Sequence, residues 1–309
     1  MANKLYDEAH IQDIADAIRE KNGSSTTYKV SQMGAAVRAI EGSGGGQSGD
    51  GADLALSVLR GTISDLSPFS GLTSIREGAF MNCKSITSAS FPACTNIGTN
   101  AFNGCRSLAS ASFPSCASIG SYAFNSCTSL RSASFPACTS IGSYAFASCT
   151  FLRSASLPVC TSISMYTFYN CQSLVSIHLP MCTGVGAYAF YSCTSLKLAN
   201  LPACTMVNNA AFCRCSSLES VILSASRFSA SAFTSCSRLV SLTNTYSSVA
   251  TLSAASAFYS TPMSVSTYTD ANGNVLGYGS IYVPASLVAS YKTATNWATY
   301  AARITSIPE

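Results

Sequence analysis

The side chain with most chemistry to offer in this sequence is cysteine. The 309 residues hold 15 of them, against two histidines, His10 and His178. Disulfide crosslinks, metal centres and nucleophilic thiolates all use cysteine, and the spacing decides among them. Cys83, Cys105, Cys127, Cys149, Cys171, Cys193, Cys215 and Cys236 recur every 22 residues, the last one residue early. Cys94, Cys116, Cys138, Cys160, Cys182 and Cys204 form a second series of the same period. Side chains repeated in this way run parallel in successive copies, which opposes the geometry a disulfide requires. Reduced structural thiols are therefore expected, with bridges between successive copies as the alternative. A small thiol with a weak donor suits a tight interior bend. Cys213 alone falls outside both series, and around Cys213, Arg214 and Cys215 no further His or Cys stands at metal-ligand spacing, so no metal or other cofactor is expected.

The titratable residues give an enzyme little to work with. Neither His10 nor His178 has a nucleophile or carboxylate at a recognisable spacing. No phosphate loop, zinc pattern or calcium loop occurs. Charged residues make up 10% of the chain, against a usual figure of about 25%. Between Gly78 and Leu218 there is no Asp or Glu, while Lys84, Arg106, Arg131, Arg153, Lys197 and Arg214 are present. Arg131, Arg153 and Lys197 share one position of the 22-residue period and should line one flank of a common face, drawing anions at long range. Basic and aromatic residues are not interleaved as in a nucleic-acid site, and no nucleic-acid partner is expected. No apolar run approaches the ~20 residues of a membrane span, and MANKLYDEAH lacks the apolar core of a secretory signal, so membrane insertion is not expected.

These side chains must be positioned by a repeating element. Phe80, Phe102, Phe124, Phe146, Phe168, Phe190 and Phe212 keep the 22-residue register; Phe233 comes one residue early and Phe258 closes a stretched ninth copy. A fixed period of this size with a short strand in each copy marks a solenoid. In SASFP the pleat sends Ala89 and Phe91 inward and Ser88 and Ser90 outward. Pro92, Pro114, Pro136, Pro158, Pro180 and Pro202 cannot donate to a ladder and should end strands of about three residues. Each coil then contributes one short strand to a parallel stack, and at ~4.8 Å spacing the phenylalanines form a single aromatic file.

Within one copy, Ile86, Ala89, Phe91, Cys94 and Ile97 follow the leucine-rich-repeat pattern. The block IGSYAFxxCxSL followed by SASFPxC resembles the BspA-type leucine-rich repeat of bacterial and protist surface proteins and of some phage proteins, over roughly residues 62 to 260. The resemblance implies an α/β repeat fold, a leucine-rich-repeat solenoid, and a binding or attachment role without naming a ligand.

The ends of the chain differ from the array. Leu5, Ile11, Ile14 and Ile18, then Met33, Val37 and Ile40, read as two short amphipathic helices, a hairpin over residues 1–41 too small to bury its own apolar faces. IADAIREKNG and MGAAVRAI are similar to N-terminal segments of tail-associated structural proteins of phages and prophages of Gram-positive bacteria. The resemblance implies an anchor, in which Ile11, Ile14, Ile18, Met33, Val37 and Ile40 meet other virion tail proteins or further copies of the chain as a homo-oligomer. A generic hairpin capping the solenoid is the alternative, and the Gly-rich linker at residues 42–52 argues against it. The solenoid is expected over 53–264. A C-terminal strand and helix cap is expected over 265–309, with a hairpin turn at Asn272–Gly273, a strand through Ile281 and Val283, and a helix from about Pro284 that sets Trp297, Tyr300 and Ile304 on one face.

Two surfaces could bind. One is the outward strand face, uniform serine in the first coils and then Ser176 with His178, Leu198 with Asn200, and Ser220 with Ile222. The other is the file Tyr122, Tyr144, Tyr166 and Tyr188, beside Tyr169 and Tyr191, suited to half-buried packing or to stacking on sugars. The candidate ligand residues are Arg131, Arg153, Lys197, His178 and Asn200, facing a host cell-surface glycan, wall polymer or protein. With the N-terminal resemblance this makes a phage tail-associated receptor-binding protein of the virion. The alternatives are a bacterial cell-surface adhesin with the same repeats and an architectural decoration of the particle.

Overall fold

The computed structural model describes Leu66, residues 70–264, 268–269, 275–276 and 279–309. The hairpin and linker expected over residues 1–52, and the turn at Asn272–Gly273, lie outside the described residues. The expected solenoid of short parallel strands is present. Strands Ser88–Ser90, Ser110–Ser112, Ser132–Ser134 and Ser154–Ser156 form one parallel sheet in chain order, each three residues long and alternating outward Ser with inward Ala. The same wall continues as a second sheet, Ser176–His178, Leu198–Leu201, Ser220–Leu223, Ser241–Asn244, Ser280–Val283 and Ile304–Ser306.

A second strand in each coil escaped the sequence reading, which gave one strand per coil. Ser74–Ile75, Asn96–Ile97, Ser118–Ile119 and Ser140–Ile141 pair as one parallel sheet, and Ser162–Ile163, Gly184–Val185, Met206–Val207, Arg227–Phe228 and Thr251–Leu252 as another. Two residues carry too little pattern to announce a strand, but each sends one side chain inward, so Ile75, Ile97, Ile119, Ile141 and Ile163 are buried. The third side is a run of turns that still bonds coil to coil: the amides of Phe80, Phe102 and Phe124 donate to Ala101, Ala123 and Ala145 at 2.7 Å. Glycine permits this closeness. A Cβ on Gly120 would lie 2.5 Å from the Thr99 nitrogen, and one on Gly142 2.4 Å from that of Ser121.

The core is a set of files. Phe80, Phe102, Phe124, Phe146, Phe168, Phe190, Phe212, Phe233 and Phe258 stack with centroids 5.0–5.4 Å apart. A second file, Phe91, Phe113 and Phe135, stacks at 5.3 Å and meets the first edge-on. It ends at Phe135; Leu157, Leu179, Leu201 and Leu223 follow in its place and are buried.

At the C-terminus, Tyr268–Thr269 and Val275–Leu276 pair antiparallel. Ser280–Val283 and Ile304–Ser306 extend the strand wall in parallel. The single helix expected from Pro284 is broken. A 3-10 turn at Ala285–Leu287 leads into a helix at Val288–Thr293, and a second 3-10 segment spans Trp297–Arg303. Ala294 is extended and Asn296 left-handed, with φ 63°, which ends the first segment. Ile304 is thus a strand residue. Trp297 and Tyr300 are buried as a pair, with the Trp297 indole donating to the Ala250 carbonyl at 2.7 Å and the Tyr300 hydroxyl to that of Ala255. Tyr291, buried beside Trp297, accepts from the Asn244 side chain and the Ala250 amide.

Phe124→Ala should cost about 3–5 kcal/mol, since its ring touches neighbours in both files and the stacked backbone cannot collapse into the gap. Ser132→Ala, on the outward face, should stay within about 0.5 kcal/mol. Thermal unfolding of the two variants beside wild type checks the contrast.

Candidate binding surface

All 15 cysteines are free and buried, so they belong to the scaffold. The two series do different work. In the first, the thiol of each coil donates to the Phe carbonyl of the coil before: Cys105 to Phe80, Cys127 to Phe102, Cys149 to Phe124 and Cys171 to Phe146, at 2.9–3.1 Å. In the second, the thiol closes its own bend, Cys94 to the carbonyl of Asn96 and Cys116 to that of Ser118. Burial raises the pKa values of Cys116, Cys138 and Cys182 to about 12 and those of Cys149 and Cys171 far up. Such thiols are poor nucleophiles. Among the described residues no group of three His, Cys, Asp or Glu could hold a metal ion.

The strand wall shows a graded surface. Ser88, Ser90, Ser110, Ser112, Ser132, Ser134, Ser154 and Ser156 are exposed in two straight rows. Then His178 stands opposite Asn200, His178 exposed and Asn200 half-buried. Arg131, Arg153 and Lys197 are all exposed on the flank of this wall. Arg131 and Arg153 are next to each other, the amide of Arg153 donating to the Arg131 carbonyl at 2.9 Å. Lys197 is separated from them by one coil, where Val175 takes the position and is 46% exposed. Glu219 follows Lys197 and is engaged at 3.4 Å by Arg238. Leu198, 39% exposed beside Ser176 and Ser220, adds a second apolar side chain. Sequence reasoning named the cations, His178 and Asn200 and passed over Val175; the signal was there, as an apolar residue at the repeat position that holds Arg131, Arg153 and Lys197 in the coils around it.

The tyrosine file is a ladder. Tyr122, Tyr144, Tyr166 and Tyr188 stack at 4.5–4.9 Å and within 10° of parallel. Tyr169 and Tyr191 stack beside them, with the Arg214 guanidinium 5.7 Å over the Tyr191 ring. The inner ring faces are therefore taken by one another, which leaves edges and hydroxyls rather than platforms for a sugar. All four ladder tyrosines have φ of 57–59°, a left-handed conformation that Gly78 and Asn100 occupy in earlier coils. Each costs on the order of 1–2 kcal/mol there, and ring stacking offsets it.

The profile of the BspA type leucine-rich repeat region matches residues 62–159 and 139–264 in six copies. The chain belongs to the BspA-type leucine-rich repeat family. Among solved structures, this member of the family is similar to a leucine-rich cell surface protein from Faecalibacterium prausnitzii, at 20% identity over 70% of this chain and 60% of that one, with a TM-score of 0.42. A leucine-rich repeat protein of T. pallidum is 27% identical over 54% of this chain and 72% of its own, TM-score 0.42. One from Bacteroides ovatus is 18% identical over 77% and 88%, TM-score 0.31. The chain thus spans 60% of the length of the F. prausnitzii protein. No curated protein matches it.

Thiol titration should find essentially no reactive cysteine in the folded protein and 15 after denaturation without reductant. Stability should also fall with alkali. Once pH passes the ordinary thiol value near 9, unfolded thiols ionise while Cys116, Cys138 and Cys182 stay protonated to about 12, so the unfolded state binds fewer protons and is favoured. Melting temperature followed from neutral pH to about pH 11 reads this directly.

Proposed function

We propose that the solenoid is a binding module that presents its strand wall to an anionic cell-surface polymer, a wall polymer or acidic glycan, in the manner of a surface adhesin. The observation that carries this reading is the row of exposed cations Arg131, Arg153 and Lys197, without an ion pair among the described residues, beside His178 and Asn200 on a body with no carboxylate between Gly78 and Leu218. Guanidinium groups meet carboxylate or phosphate oxygens in paired hydrogen bonds, and no carboxylate between Gly78 and Leu218 competes for Arg131 and Arg153. The neighbouring serine rows add hydroxyl donors over four coils. Membership in the BspA-type family supports a surface-binding role of this kind. Among the described residues no helix is long and apolar enough to cross a membrane.

The tail-associated reading, with attachment to a virion or self-association through Ile11, Ile14, Ile18, Met33, Val37 and Ile40, depends on residues 1–41, which lie outside the described residues. The comparisons lend it nothing, and the adhesin alternative takes precedence. In either setting the strand wall is the recognition surface.

Arg131→Ala combined with Arg153→Ala should lower binding to cells or wall polymer by about tenfold or more at low salt and flatten its salt dependence, with the melting temperature unchanged. Binding that is unaltered at low and high salt alike would remove this row from consideration.

A further inference from the structure

Both strand walls break at one coil boundary. Ser140–Ile141 pairs with Ser118–Ile119 but not with Ser162–Ile163, and Ser154–Ser156 pairs with Ser132–Ser134 but not with Ser176–His178. On the short-strand wall, Gly98, Gly120, Gly142 and Gly186 donate their amides to the preceding coil at 2.7–2.8 Å. Ser164 holds that position at the break, and it is its hydroxyl that donates to the Ile141 carbonyl, at 2.6 Å. On the long-strand wall, Phe91, Phe113, Phe135 and Leu179 donate to the next coil at 3.0–3.1 Å. Among the described residues neither Leu157 nor Ser164 has a protein acceptor for its amide. The backbone bonds that persist beside the interrupted strands are long, Thr161 to Thr139 at 3.3 Å and Val175 to Arg153 at 3.4 Å. The turn side stays tight, with Phe146 to Thr167 at 2.8 Å and Ser148 to Tyr169 at 2.7 Å.

The cause is local. A Cβ at the glycine position points into the preceding coil's backbone, 2.4–2.6 Å away at Gly98, Gly120, Gly142 and Gly186. Ser164 has that Cβ. Asn208 has one too and keeps its ladder at 3.1 Å, so the Cβ alone does not open the stack. At the break a second change accompanies it: Thr167 replaces the Ala found at 101, 123, 145, 189 and 211, is fully buried, and bonds back to the Ser164 carbonyl at 2.8 Å. Leu157 also replaces Phe at this boundary and thins the core on the opening side. Ala155, whose counterparts Ala89, Ala111 and Ala133 are buried, is only partly so. Five large apolar side chains are exposed on the two coils that meet here, Phe151, Val159, Met165, Val175 and Met181.

The break also divides the recognition row. Arg131 and Arg153 lie on one side, and Val175, His178, Lys197 and Asn200 on the other. We propose that this seam is a hinge, held on the turn side and with its backbone ladder interrupted on both strand walls, and that a polyanion reaching from Arg153 to Lys197 draws it closed. The second half rests on the reading of the row as an anion surface; the hinge itself does not. A spacing that adjusts between two fixed ladders lets one surface fit a polymer whose charges do not share the solenoid's pitch.

The test is amide hydrogen exchange by mass spectrometry on the full chain, comparing peptides that cover Leu157 and Ser164 with those that cover Phe135 and Gly142. Exchange at the first pair should be about tenfold faster or more. S164G combined with T167A, which restores the residues of the coils on either side, Gly142 with Ala145 and Gly186 with Ala189, should abolish the difference. Equal protection in wild type, or no change in the variant, overturns the hinge. Heparin, as a sulfated polyanion, should slow exchange at Leu157 and Ser164 in wild type and not in R153A. Heparin that binds without slowing the seam overturns its closure by ligand. If heparin fails to bind at low salt, the anion reading of the row and the closure both fall, and the exchange contrast still decides the hinge.

Discussion

Everything in this molecule depends on the spacing of one parallel backbone ladder, in which each coil lies ~4.8 Å from the next. Because the period is 22 residues and the register holds, every side chain is stacked against its own copies. A core residue therefore has to suit a neighbour identical to itself. Phenylalanine does, through offset stacking, and so does a thiol small enough to sit in a bend and donate to a carbonyl one coil away. The same spacing is tightest where Gly98, Gly120, Gly142 and Gly186 let the backbones touch.

The ladder also explains the unusual surface. Like charges directly opposite each other on adjacent strands destabilise a sheet, and an in-register repeat would place them opposite in every coil. Serine and threonine avoid this while keeping the backbone wet, and several threonines tie coils together directly: Thr95, Thr161, Thr183 and Thr205 donate to carbonyls 22 residues earlier. Against that background Arg131 and Arg153 on neighbouring coils are an exception. They repel each other in the free protein, and an anion placed between them relieves the repulsion as well as forming new bonds.

Much of this architecture was legible because a strict period multiplies a weak signal. One SASFP segment would say little; several in register fix the strand, its inward face and its end at proline. What stayed hidden had no period of its own or too few residues. The strand Ser118–Ile119 and its counterparts have one inward isoleucine each and look like loop. The spacing of Trp297, Tyr300 and Ile304 fits one helix, but Asn296 adopts a left-handed conformation and splits it from the preceding turn, and Trp297 packs against Phe228 and donates to Ala250. Of the binding surface, the cations and His178 were readable as departures in residue type. Their relation to the broken ladder was not, because Ser164 and Thr167 differ from glycine and alanine by small groups whose effect appears only when the coils are stacked.

A repeat that is uniform cannot be specific, since every coil offers a ligand the same contacts and no reason to prefer one register to another. Specificity has to come from the coils that depart from the pattern, and here the departures are concentrated. The serine rows give way to His178, Leu198 and Asn200 within two coils, the cationic flank is interrupted by Val175, and the ladder opens at Ser164. Each departure costs the scaffold something: an apolar side chain in water, a like-charge pair, an amide without a partner. Their coincidence over residues 151 to 206 sets the middle of the solenoid apart from the regular coils on either side.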